Sequence, residues 1–196
     1  MRRAPVKTMR SKLPLLLMVV SLMAACGTQQ QYQQPPSQDE QVLYMNDTYE
    51  NLTKSLVAEI KSEQVQVKQL KNRIQVTIAD EILFSEGGWE VGAHGIEVLN
   101  KVSPSLQGLK GRRVVVQGFT DSQPVPATLH ARFPTDWELS ADRATNVVRH
   151  LQTLGVDPST LAAEAFGRYH PIASNQTAEG RRENRRINIV IEDSDF

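Results

Sequence analysis

One cysteine, Cys26, is present in 196 residues. No intrachain disulfide can form, so the chain must hold its fold by burying its own apolar side chains. The cysteine also closes a short apolar run, Leu13 to Ala25, which contains Pro14. Arg2, Arg3, Lys7, Arg10 and Lys12 precede the run, and no acidic residue occurs before Cys26. A basic head, a short apolar run and a small-residue exit read as a secretory signal over residues 1–25. A membrane-spanning helix needs about 20 apolar residues, so the run is too short to span stably. Met9 serves equally well as the start, since Met9-Arg10-Ser11-Lys12 is itself a compact basic head.

The five basic residues leave with the signal, which takes the 22 basic residues of the chain to 17 against 22 acidic ones, a net of −5. A mildly acidic chain is a poor partner for nucleic acid or an anionic membrane surface. What remains is enough for one domain and a tether. The stretch to Gln41 is rich in glutamine, carries Pro35-Pro36 and has almost no apolar residues. It cannot offset its ordering entropy by burial, so residues 26–41 read as a tether. From Gly27 to Gln41, fifteen extended residues reach roughly 50 Å.

A helix is expected over 42–62, where Val42, Met45, Tyr49, Leu52 and Leu56 recur at three-and-four spacing. Two heptads are short for a free coiled coil. The stripe therefore either packs on the domain or meets a second copy or an envelope-complex partner. Val65, Val67, Ile74, Val76 and Ile78 alternate around Lys71-Asn72, a hairpin pattern. Next come a helix near 95–107 distorted by Pro104, a buried strand over 113–119, and a proline-containing loop over 120–134. Thr135 and Glu138 have capping-box spacing ahead of a helix stopped by Gly155. A strand near 161–167, a short helix over 179–184 and an alternating strand through Ile187, Ile189 and Ile191 complete the pattern. The fold class is α/β of the α+β type: a mixed β-sheet packed with helices. Residues 193–196 read as a frayed acidic tail.

No catalytic site, metal or cofactor is expected. His94, His130, His150 and His170 lack metal-ligand spacing. No nucleophile elbow or histidine–glutamate metal motif occurs. Arg181, Arg182, Arg185 and Arg186 are interleaved with Glu183 and preceded by Glu179, which favours a solvated face plus packing over phosphate binding.

Several runs resemble known families. Leu22-Met23-Ala24-Ala25-Cys26 resembles the bacterial lipoprotein signal, with Met23 in place of the usual leucine. The resemblance implies lipid on Cys26, and Gly27 after it implies the outer membrane, facing the periplasm. Gly118-Phe119-Thr120-Asp121, Trp137 to Ala144, Gly167 to Pro171, Asn175 and Gly180 to Ile187 occur in order. Together they resemble the OmpA-like peptidoglycan-binding domain, here over residues 63–192, and most closely its MotB-like branch. That resemblance implies an OmpA-like βαβαβ sandwich and a non-covalent grip on the diaminopimelate of the wall's stem peptide. Its free tip carries an ammonium and a carboxylate on one carbon. Asp121 resembles the family aspartate that accepts the ammonium, and Arg143 the arginine that takes the carboxylate; a planar fork suits that contact. Thr120, Leu139, Ser140 and Asn184 stand at positions that line the pocket, and Asp136, Ser140 and Arg143 share one helix face at i, i+4, i+7. Asp121 and Arg143 could instead pair with each other and close an empty site. Pro124 stands where many members have glycine, a departure shared with the MotB-like branch.

Overall fold

The computed structural model describes residues 37–85, 88–109 and 111–194. The signal, Cys26 and most of the tether lie outside the described residues. The chain enters through α1 (Gln38–Ser55), which begins four residues inside the stretch read as tether. The reason is a capping box: the Ser37 hydroxyl accepts from the Glu40 N–H, and the Glu40 carboxylate accepts from the Ser37 N–H at 2.9 Å. The expected single helix is broken at Leu56, and α2 (Val57–Lys61) carries it on. Of the apolar stripe, Met45, Leu52 and Leu56 are buried and Tyr49 packs partly against the core, whereas Val42 is exposed. The stripe serves the domain from its second turn onward.

Five strands form one sheet in the order β1-β2-β5-β3-β4, with β1 (Val65–Leu70), β2 (Arg73–Ala79), β3 (Arg112–Phe119), β4 (Leu161–Gly167) and β5 (Arg186–Asp193). The β1–β2 hairpin pairs Val65 with Ile78 and Val67 with Val76, as the alternation requires. All neighbours are antiparallel except β3 and β4. A parallel pair needs a crossover, and α5 (Asp136–Thr153) supplies it, packing on both strands. The rows Ile78–Ile187 and Val76–Ile189–Val116 face Leu52, Leu56, Val98, Leu99, Val147 and Leu151 in the core. Val98 and Leu99 come from α4 (Ala93–Val102), whose end passes into a 3-10 turn at Pro104.

Two sequence readings change here. β5 was expected to alternate, yet Arg186 to Ile191 are all buried, because β5 lies at the centre of the sheet between β2 and β3. The start of the acidic tail is also not frayed. Asp193 pairs with Arg112 at 2.8 Å, Glu192 pairs with Arg113 at 2.7 Å, and the Ser194 N–H donates to the Gly111 carbonyl.

Candidate functional site

The site gathers where β3 ends. The Thr120 N–H donates to the Gly167 carbonyl at 2.9 Å, which continues the β3–β4 pairing by one residue and fixes Asp121 just beyond it. Asp121 is buried. Its Oδ1 accepts from the Gln123 N–H at 2.8 Å, and its Oδ2 pairs with Nη1 of Arg185 at 2.5 Å.

Arg143 comes from α5. That helix starts with Thr135 and Glu138 in the expected capping box. It lies close on β3 because position 118 is glycine: a Cβ there would stand 2.2 Å from the Ser140 carbonyl oxygen. The Arg143 guanidinium is buried over the Phe84 ring. Its Nε and Nη2 donate to the Gly88 carbonyl at 2.9 and 2.8 Å, and its Nη1 stands 3.1 Å from Oδ1 of Asp80. Burial pulls the Arg143 guanidinium below its ordinary range, and the Asp80 carboxylate opposes that shift. Burial pushes the Asp80 carboxyl up, against the pull of Arg143 and Arg185. Asp80 opens the single-turn α3 (Asp80–Leu83), and its N–H donates to the Arg185 carbonyl at 3.0 Å.

Asp121 and Arg143 thus belong to one cluster of four charges, and each has its own partner. The mutual ion pair that the sequence left open does not form. The two hold opposite charges within electrostatic reach, Asp80 and Arg185 completing the set. Asp80, Arg185 and the Gly88 carbonyl were not read from the sequence as site groups. Arg185 stands in a run read as a solvated face plus packing: Arg182 and Glu183 are exposed and Arg186 is buried, but Arg185 is neither, because it enters the site and pairs with Asp121. Arg186 donates to the carbonyls of Asn184 and His170 and lies 3.7 Å from the Phe119 ring centroid; burial pulls it down to about 10.

The remaining expected residues hold the site together. Ser140 is fully buried; its hydroxyl accepts from the Gly167 N–H at 3.1 Å and donates to the Trp137 carbonyl. Asn184 ends α6 (Ala178–Asn184) and is also fully buried. Its Oδ1 accepts from the N–H groups of Ile172 and Ala173, and its amide donates to the Ala173 carbonyl and to Asn175 Oδ1. Both side chains therefore turn their polar atoms into the protein rather than toward a pocket. The Thr120 hydroxyl donates to the Asp121 carbonyl, and Leu139 packs with Val125, Phe133 and Trp89 under the 120–134 loop. Asp136, Ser140 and Arg143 do share one buried face, but Asp136 is taken by Arg168, which also donates to the Ser122 carbonyl. Among the described residues no cluster of potential metal ligands is present.

A profile of the OmpA family matches residues 83–185. The chain belongs to the OmpA family. Within that family it lies on the MotB-like branch. Motility protein B of Bacillus subtilis is 31% identical over 129 residues, 65% of this chain and 48% of that protein. The peptidoglycan-binding protein ArfA of Mycobacterium tuberculosis is 34% identical over 122 residues, 62% of this chain and 35% of that protein. The structure of the cell wall anchor of the type VI secretion system from Pseudomonas aeruginosa superposes with a TM-score of 0.66 at 31% identity, covering 73% of this chain and 97% of the other. This OmpA-family chain spans about half or less of the length of those two curated relatives. It shares with the solved anchor a mixed sheet packed with helices. No helix among the described residues is long and apolar enough to cross a membrane.

Proposed function

We propose that this protein is a non-catalytic envelope lipoprotein that grips peptidoglycan through the diaminopimelate of the stem peptide. Asp121 accepts the ammonium of the free tip and Arg143 the carboxylate, while lipid on Cys26 ties the chain to the outer membrane on its periplasmic side. The observation that supports the reading is the convergence of an aspartate from the end of β3 and an arginine from α5 in one largely buried charge cluster. Buried ionised hydrogen bonds are stronger and more selective than exposed ones. Ser140, Asn184, Thr120 and Leu139 act by holding the loops and the helix that aim those two groups. One small pocket binds weakly, but membrane tethering against a repeating polymer raises the effective concentration. Each lipid methylene buried in the membrane adds about 0.8 kcal/mol to the anchor.

Co-sedimentation with isolated sacculi tests the reading. Asp121→Asn and Arg143→Lys each keep shape or charge but lose one half of the recognition. Each should lower the bound fraction at least about tenfold, the scale of one charge-assisted hydrogen bond, with unchanged circular dichroism. Undiminished binding by both variants removes the site.

A second reading, a wall-anchored subunit of a motor or secretion assembly, is favoured by the names of the relatives: a motility protein and a secretion-system wall anchor. The partner surface would be the outer side of α1 and α2, where Val42, Leu43, Tyr44 and Val57 are exposed. Leu52 is no probe of that surface, because it is fully buried in the domain core. Paired Val42→Asp and Leu43→Asp substitutions, read by sedimentation velocity of the purified complex, separate the two readings.

A further inference from the structure

The charge cluster contains two residues that the binding reading does not use. Asp80 and Arg185 stand in electrostatic reach of Arg143, and Asp121 pairs directly with Arg185. Two carboxylates and two guanidiniums sum to zero formal charge. Three of the four side chains are nearly buried, at 12% exposure for Asp80, 7% for Asp121 and 5% for Arg143, and Arg185 is the wetter one at 36%. An unbalanced charge costs far more in such a place than in water.

Asp80 also joins the two arginines, one through its side chain and the other through the backbone alone. Its carboxylate meets Arg143 while its N–H meets the Arg185 carbonyl. Arg143 has five N–H donors; two donate to the Gly88 carbonyl, and Nη1 faces Asp80 as an ion pair, which leaves donors over. A ligand carboxylate can therefore join Arg143 without evicting Asp80. A ligand ammonium, in contrast, must share Asp121 with Arg185, or take it.

We infer that Asp80 and Arg185 set the specificity of this site by balancing its charge, so that it accepts a tip carrying both an ammonium and a carboxylate and rejects a tip carrying only one. The inference rests on the Asp121–Arg143 reading above. A zwitterionic tip exchanges partners at constant charge, and every group keeps an opposite neighbour. A tip with a single charge leaves one buried excess charge. Neutralising Asp80 turns the set into an anion site, and neutralising Arg185 turns it into a cation site. Both residues act through Asp121 and Arg143 and are positioning residues in that sense.

The experiment uses the full chain in detergent and three synthetic stem tripeptides, amidated at the C-terminus, that differ only in the third residue. That residue is meso-diaminopimelate (both charges at the tip), 2-aminopimelate (carboxylate only) or lysine (ammonium only). Titration calorimetry gives three affinities for each protein. The wild-type chain should prefer the diaminopimelate peptide. Asp80→Asn should narrow the gap between the aminopimelate and diaminopimelate peptides by about tenfold, the scale of one charge-assisted hydrogen bond. Arg185→Gln should do the same for the lysine peptide. Asp80→Glu and Arg185→Lys keep the charge and should keep the wild-type ranking. A parallel change for all three peptides in both neutralised variants marks a merely structural role and overturns the inference. Equal wild-type affinity for all three removes the underlying site reading, and the wild-type arm alone reports that outcome.

Discussion

Asn184 shows how much of the site is scaffold. Its side chain has 0% exposure and makes four hydrogen bonds to the 172–175 loop. Asn175 in turn accepts from the Ser122 N–H, next to Asp121. Asn184→Ala leaves two loop N–H groups and a carbonyl without that partner, at about 1–3 kcal/mol for each group that stays buried and unpaired. The expected result is a urea midpoint well below wild type, together with loss of sacculus binding although no charge has been touched. Asp121 and Arg143 were legible in the sequence because ordered motifs carried them. Asp80 was not, because its partners are chosen by tertiary approach. It follows Ala79, which pairs with Arg186 across β2 and β5, and only that register brings it to Arg185. No local pattern around Asp80 encodes a pairing with a residue more than a hundred positions away.

At the scale of elements, periodicity and capping were the legible signals. The hairpin, the α5 start and the β3–α5–β4 order follow from alternation, from Thr135 with Glu138 and from the apolar helix face. Thr135→Ala removes the hydroxyl half of that cap, keeps the backbone N–H bond to Glu138, and should cost about 1 kcal/mol. Thermal melts check it, and the loss should carry no change in peptide ranking. The start of α1 was missed although its signal was present: Ser37 and Glu40 have the same capping spacing inside a run dominated by glutamine and proline. The centrality of β5 was missed for a different reason. Alternating isoleucines describe one face, and only the sheet order shows that Asn188 and Val190 on the other face are covered as well. Leu52 bears on how α1 is held. It is fully buried among Leu56, Val102 and the sheet isoleucines. Leu52→Ala should destabilise the domain by about 2–5 kcal/mol, visible as a lower urea midpoint at any protein concentration. A loss that depended on concentration would mean that α1 is held by a second copy instead.

For the whole molecule, the buried charge cluster couples stability to pH. Burial raises the Asp80 carboxyl above its ordinary 3.8 despite Arg143 and Arg185. Between the unfolded value and the raised folded one, the native protein holds more protons than the unfolded chain. Stability then falls as pH rises through that window, opposite in sign to the effect of a carboxylate whose pKa is lowered by a salt bridge. Exposed carboxylates such as Glu138, lowered by its hydrogen bond from Thr135, push the other way and obscure the trend in the total. The difference between wild type and Asp80→Asn isolates it. Asparagine loses the charge, so its absolute stability also reflects an Arg143 left without a carboxylate partner, but that offset does not vary with pH in the acid range. Relative to the variant, the wild type should therefore lose stability as pH rises above 3.8, and level off once Asp80 is fully ionised. Urea titrations of both proteins across the acid range measure this. A difference that grows in favour of the wild type with rising pH would mean that Arg143 outweighs burial at Asp80. The carboxylate would then be a net stabiliser of the folded site.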